Sequence, residues 1–221
     1  LSGSDPVDPG RIGQLIEASR LFVSSVVFSG GEPLNQGPVI PEIARIAKQK
    51  GLDVGIHTNG AYPEVLRKLC EKDLIDGVFI DLKAPLDDPQ EYGRMAGCGQ
   101  YPAVTLSPAE IAAKVRESIA IAADYGILKE LRTTVLPGFM DSPSLIGAAV
   151  LSALPYLKAS GAPYVIQQGI PSHSLDPSLR DLSPLSRQDM IRLAVPALKH
   201  LNNIWIRTSE KGCERVRFGM V

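Results

Sequence analysis

The chain has 221 residues, enough for a domain that buries most of the surface its unfolded form exposes. Its hydrophobic fraction of 44% and charged fraction of 21% are ordinary for a globular fold. A formal net charge of −1 gives no electrostatic reason for nucleic acid or an anionic membrane as the main partner. No apolar run has the length of a membrane span, and the opening LSGSDPVDPG is no signal peptide. A single cytoplasmic domain over residues 1–221 is the expectation.

Short β-rich runs alternate with longer helical patterns. RIGQLIEASRLF has apolar residues at helical spacing, and VSSVVFS follows as a compact β-branched strand. PVIPEIARIAKQKG reads as a helix stopped by Gly51. LDVGIHT is the next strand, YPEVLRKLCEKDL a helix, and GVFIDLK a strand. The stretch from Ala84 to Ser107 is rich in Gly and Pro and reads as an extended connection with short elements, a length that hints at function. SPAEIAAKVRESIAIAADYG begins with Ser107 and Glu110 at capping-box spacing. Then come strand LKELRTTVLPG, helix SPSLIGAAVLSALPYLKASG and strand PYVIQQGI. SRQDMIRLAVPALKHL is the last long helix, expected to bend at Pro196. NIWIRTS closes as a strand, with CERVRF as a short addition.

This alternation predicts an α/β fold with a parallel sheet, open or closed into a barrel. Such sheets carry ligand loops at the C-terminal ends of their strands. SGGEP, HTNG, DLK and VLPG all fall there. In Ser29-Gly30-Gly31-Glu32-Pro33, paired glycines let a ligand approach the backbone, Glu32 offers a carboxylate to an ammonium group, and Pro33 stiffens the exit. Asp81 and Lys83 stand at i and i+2 and face one side if the strand continues through them. The bland alternatives are a tight strand-to-helix turn and an ordinary surface salt bridge. Cys70, Cys98 and Cys213 are too scattered for a disulfide framework or a metal array, so no metal ligand is assigned and no catalytic residue is named.

In order and separation, VVFSGGEPLNQ, HTNG, GVFIDLKAPLDDPQEYGRMAG and LRTTVLPGFMDS resemble the radical S-adenosylmethionine superfamily, and within it the glycyl-radical activating enzymes. The resemblance spans about Val23 to Thr208, and the ending WIRTSEKG is most similar to archaeal-type activases of anaerobic ribonucleotide reductase. It implies a partial parallel (β/α) barrel and a site for S-adenosylmethionine. Gly30, Gly31 and Glu32 would receive the methionine amino group, with Ser29 and Pro33 flanking them. Lys83 of the Asp81-Leu82-Lys83 block would contact the methionine carboxylate, and Thr58 and Asn59 would sit beside it. Arg132 and the turn from Val135 to Gly138 would lie against the adenosine end. In pyruvate formate-lyase activating enzymes, aspartates of two of these blocks hold a monovalent cation; Asp81 matches one, whereas His57 replaces the other.

The superfamily's CxxxCxxC motif does not occur in the chain. That motif holds a [4Fe–4S] cluster whose electron cleaves S-adenosylmethionine to a 5′-deoxyadenosyl radical. The expectation is therefore an N-terminally incomplete barrel, with first strand and cluster loop absent, inactive by itself. The intact enzyme would use a reductant such as flavodoxin or ferredoxin and act on a glycyl radical enzyme. The alternatives are a cluster-free binding module, and a radical enzyme modifying a small molecule or RNA.

Overall fold

The computed structural model describes residues 8–102, 104–174 and 176–220. The opening segment through residue 7, together with Ala103 and Leu175 in the two long connections, lies outside the described residues. Strands β1 (Ser25–Phe28), β2 (Asp53–Thr58), β3 (Gly77–Asp81), β4 (Leu128–Val135), β5 (Tyr164–Gln168) and β6 (Ile204–Thr208) lie side by side in chain order, each parallel to the next. β7 (Gly212–Arg215) returns antiparallel on β6. The sheet stays open, because β1 and β7 are its two edges. This is the expected partial barrel.

Alternation along the strands decides which face is covered. Val54 and Ile56, Val78 and Ile80, Leu131 and Val135, Tyr164 and Ile166, and Ile204 and Ile206 are all fully buried in one apolar cluster with the helices. The opposite face bears Gly55 and His57, Phe79 and Asp81, Glu130 and Arg132, and Arg207. β4 shows the division best, since LKELRTTV sends Leu131, Thr133 and Val135 to the core and Glu130 and Arg132 the other way. Thr133 is a polar residue on the core side of β4; its hydroxyl bonds the Leu82 carbonyl and the Tyr164 hydroxyl, both at 2.6 Å.

The covering helices are α1 (Pro9–Ser19), α2 (Val39–Gln49), α3 (Pro63–Glu71), α4 (Pro89–Ala96), α5 (Pro108–Asp124), α6 (Pro143–Ser160) and α7 (Arg187–Ala194). The Ser107–Glu110 capping box is formed as expected. The connection after β3 is more ordered than its composition suggested. α4 starts on Asp88, whose side chain accepts from Glu91 N–H at 3.0 Å, has Pro89 in its first turn, and stops at Gly97 with φ of 79°. Gly93 in its middle lowers helix propensity and hides the element from a sequence reading.

The last helix also differs from expectation. The α-helix ends at Ala194, and a 3-10 turn covers Val195–Lys199, because Pro196 has no N–H to donate and its ring crowds the preceding turn. β3 ends at Asp81, two residues short of Lys83, so the i, i+2 relation does not govern Lys83.

Gly93 is where α4 meets α5: a Cβ there would lie 2.6 Å from the Pro108 ring and 3.0 Å from its backbone. Gly93→Ala is expected to lower stability by about 1–3 kcal/mol through overpacking, outweighing its gain in helix propensity. Urea denaturation checks this, and an unchanged midpoint would refute the close α4–α5 contact.

Candidate functional site

Four strand ends build the site. After β1 the chain passes through Ser29, Gly30 and Gly31, all exposed, into Glu32 and a 3-10 turn at Pro33–Gln36. Gly30 has φ of 114°, a region closed to residues with a Cβ, and open space surrounds both glycines. Glu32 does not point its carboxylate at open solvent. One oxygen accepts from Leu34 N–H at 3.0 Å and from the Thr58 hydroxyl at 2.8 Å, while the other accepts from Asn59 N–H at 2.7 Å. Glu32 thus ties the glycine loop to the end of β2. Thr58 in turn accepts from Gly60 N–H at 3.0 Å, and Ser118 of α5 donates to the Gly60 carbonyl at 2.7 Å.

The ends of β3 and β4 carry a second linkage. Arg132 donates twice to one oxygen of Asp81, at 3.0 and 2.7 Å, and its remaining nitrogen lies 3.5 Å from Nδ1 of His57. The His57 ring packs on Phe79 with centroids 4.6 Å apart. Below them Glu130, 9% exposed in its side chain, lies 3.8 Å from Arg132 and takes a forked pair from Arg207 at 3.2 and 2.8 Å. Arg207 also donates to Gln167 at 3.1 Å. Burial, and after it the Arg132 guanidinium, holds the His57 imidazole below its ordinary value, against the pull of Glu130 and Asp81.

Lys83 is half-buried, and its ammonium makes no ion pair among the described residues. It lines two cavities. The larger, about 420 Å³, is lined by Asp81 and Arg132, by Met95 and Tyr101, and by Phe139 and Asp176. The connection after β3, through Met95 and Tyr101, and the connection after β5, through Ser174, Asp176 and Leu179, both line this cleft. The smaller, about 310 Å³, lies towards Asn59, Tyr62 and Ile111. Tyr92 is completely buried beside it, with its hydroxyl 3.4 Å from Lys83 N–H.

The residues singled out in the sequence thus fall into groups. Glu32, Thr58 and Asn59 are hydrogen-bonded together; Asp81, Lys83 and Arg132 share the larger cleft; and Asn59 and Lys83 share the smaller one. Ser29, Gly30 and Gly31 lie outside both cavities, Pro33 and Val135 are buried, and Leu82 is fully buried with its N–H on the Arg132 carbonyl. Asp81 is held by Arg132, where the sequence suggested a partnership with Lys83. Glu130, Arg207 and Tyr92 were not anticipated. Charges alternating with apolar residues in LKELRTT were the available signal for Glu130.

The exposed glycine backbone and the unpaired Lys83 suit the amino-acid end of S-adenosylmethionine. The described residues do not suit an iron–sulfur cluster. Cys70 is buried on α3, with its thiol pushed up to about 11 by burial; Cys98 follows α4; and Cys213 is exposed on β7. No three His, Cys, Asp or Glu side chains among the described residues gather to hold a metal.

An open, mostly parallel sheet with polar groups and two cavities gathered at its strand ends defines an α/β protein with a candidate small-molecule site there. The sequence signature of the Radical SAM superfamily matches residues 3–143. A protein of Methanocaldococcus jannaschii, provisionally named a glycyl-radical enzyme activating enzyme, is 34% identical over 188 residues, 85% of this chain and 72% of that protein. The chain belongs to the radical SAM superfamily. Among solved structures, a domain of pyruvate-formate lyase-activating enzyme from Bacteroides vulgatus superposes with a TM-score of 0.57 at 16% identity, covering 84% of this chain and 100% of that one. A structure of TYW1 with a lysine-pyruvate adduct bound gives 0.59 at 17% identity, covering 96% of this chain and 70% of that one. At these identities the likeness concerns the fold. No helix among the described residues is long and apolar enough to cross a membrane.

Two predictions follow from this geometry. Glu32→Gln keeps one acceptor oxygen and turns the other into a donor facing a donor, so at least one bond of the tie is lost. The expected result is a stability loss of about 1–3 kcal/mol with faster hydrogen exchange at the Asn59 or Leu34 amide; full protection of both would refute the tie. For His57, a lowered folded value means that the unfolded chain takes up the proton more readily. Its contribution is complete above the unfolded value of about 6.5 and is lost as pH falls through the folded value. Thermal unfolding of His57→Asn between about pH 8 and pH 5 should show a shallower acid-side decline than the parent.

Proposed function

We propose that this chain supplies the S-adenosylmethionine-binding part of an enzyme that activates a glycyl radical enzyme, such as an anaerobic ribonucleotide reductase. The single observation that carries the reading is Lys83, a half-buried ammonium that makes no ion pair among the described residues and lines two cavities at the strand ends. A carboxylate of the ligand would complete its charge. The exposed Gly30–Gly31 backbone would take the ammonium group, because the Glu32 oxygens already serve three donors. The larger cleft, walled by the Leu136–Met140 turn and by α4, would receive the adenosyl end. Bound S-adenosylmethionine supplies the organic radical when it receives an electron. Asp81 and Arg132 line the cleft, and the two long connections limit access of water and partner to it.

The identity to a glycyl-radical activating enzyme, at 34%, supports the protein target. A reductant of the flavodoxin or ferredoxin type and a cytoplasmic setting belong to the same reading. TYW1 shares the fold alone, so a small-molecule or RNA target is the second reading, and no residue in the cleft favours it.

Calorimetric titration of the chain with S-adenosylmethionine is expected to show saturable binding, weakened about tenfold by Lys83→Ala, the worth of one charge-assisted contact. The same 221-residue polypeptide is expected to release no 5′-deoxyadenosine with a chemical reductant, since its cysteines lack cluster spacing. Binding untouched by the substitution would sink the assignment of Lys83, and cleavage would sink the expected inactivity.

A further inference from the structure

At the opposite end of the sheet from the candidate site lies a cleft of about 520 Å³. It forms where α6 ends at Ser160, where the 3-10 turn at Val195–Lys199 runs into β6, and where β7 finishes. Lys158, Lys199, His200 and Arg215 line it, and no carboxylate does. Elsewhere the chain pairs many of its surface cations: Lys50 with Glu17, Lys114 with Glu64, Arg116 with Asp87 and Arg192 with Asp189. Among the described residues, Lys158, Lys199 and Arg215 make no ion pair.

Helix ends account for part of this. Lys158 and Lys199 stand in the last turns of their elements, where carbonyl ends favour cations. That does not explain Arg215, which comes from the antiparallel edge strand. Its Nε and Nη2 donate to the Asn202 carbonyl at 3.3 and 3.1 Å. The guanidinium is thereby fixed at the cleft by a neutral acceptor, which leaves its charge and its other nitrogen available. The floor is fixed too. Asn203 donates its amide to the Gly161 carbonyl at 3.0 Å and accepts from the Trp205 indole at 2.9 Å.

We infer that this cleft binds a phosphate-bearing anion. Two lysines, a histidine and a fixed arginine exceed what one carboxylate would use, and they match the several acceptor oxygens of a phosphate chain. The volume lies in the range of small-ligand sites. The ligand would sit at the N-terminal ends of β5 and β6, away from the strand ends that carry Glu32 and Lys83, so the site stands independently of the proposed activity.

The test is titration of the chain at low salt with inorganic tripolyphosphate, ATP and a single-stranded RNA oligomer, read by calorimetry and by amide NMR shifts. Saturable binding is expected, with shifts at 157–161, 199–203 and 215. Arg215→Ala and Lys199→Ala, both at exposed positions, should each weaken it about tenfold, while Lys68→Ala on α3 should not. ATP binding more tightly than tripolyphosphate assigns a nucleotide. RNA binding that tightens with oligomer length assigns a polynucleotide backbone; either result upholds the phosphate site. No saturable binding of any of the three, binding unchanged in both cleft variants, or equal loss in Lys68→Ala would overturn it.

Discussion

Three donors converge on the Glu32 carboxylate, and the geometry of the candidate site rests on that convergence. A glycine loop is useful because it leaves its backbone open, but the same freedom makes it costly to order. Gly30 and Gly31 have no side chains to hold them, and open space surrounds both. Order is supplied from outside. Glu32 fixes the loop's end to the Thr58 hydroxyl and the Asn59 amide of the next strand end, and Ser118 fixes that strand end to α5 through Gly60. Hydrogen bonds to a charged acceptor are stronger than neutral ones, so a single carboxylate can set two loops in register.

The charges beside this tie are arranged to be neutral in sum. Arg132 and Arg207 alternate with Asp81 and Glu130 across β3, β4 and β6, and neither arginine lacks a carboxylate. Low exposure of Arg132 and Glu130 makes removal of any one member costly, because its partner would remain as a buried unpaired charge. His57 fits this balance as a neutral acceptor, with burial and the neighbouring guanidinium both opposing its protonation. A second cation in that position would meet Arg132 directly. Lys83, on the same cleft, makes no ion pair among the described residues.

Much of this was legible in the sequence, and the reasons differ by element. Regular alternation of β-branched runs with capped helical patterns exposed the parallel sheet, because each strand's period and each helix's stop are local properties. Ser107 with Glu110 announced α5 for the same reason. α4 was hidden because eight residues with a central glycine carry too little periodicity, although Asp88, Pro89 and Gly97 marked both of its ends. The site residues were legible as a set but not as contacts. That Glu32 would spend its carboxylate on Thr58 and Asn59, or that Asp81 would choose Arg132, depends on the register between strands, and Asp81 stands opposite Arg132 only once β3 and β4 pair. The pairing of Glu130 with Arg207 was hidden for a related reason: each looks like a misplaced charge until the fold brings the other to it.

The shape of the strand ends in this chain does not depend on its cysteines. The ties that shape the candidate site run between residues of the sheet and its helices: Glu32 to Thr58 and Asn59, Arg132 to Asp81, Thr133 to Leu82 and Tyr164. None of them calls on a cysteine. The strand ends therefore hold their shape through the protein's own hydrogen bonds, while the reactive electron chemistry of the superfamily resides in cofactors that the protein orients. Recognition of S-adenosylmethionine is thus a property to be sought in the fold itself, ahead of any turnover.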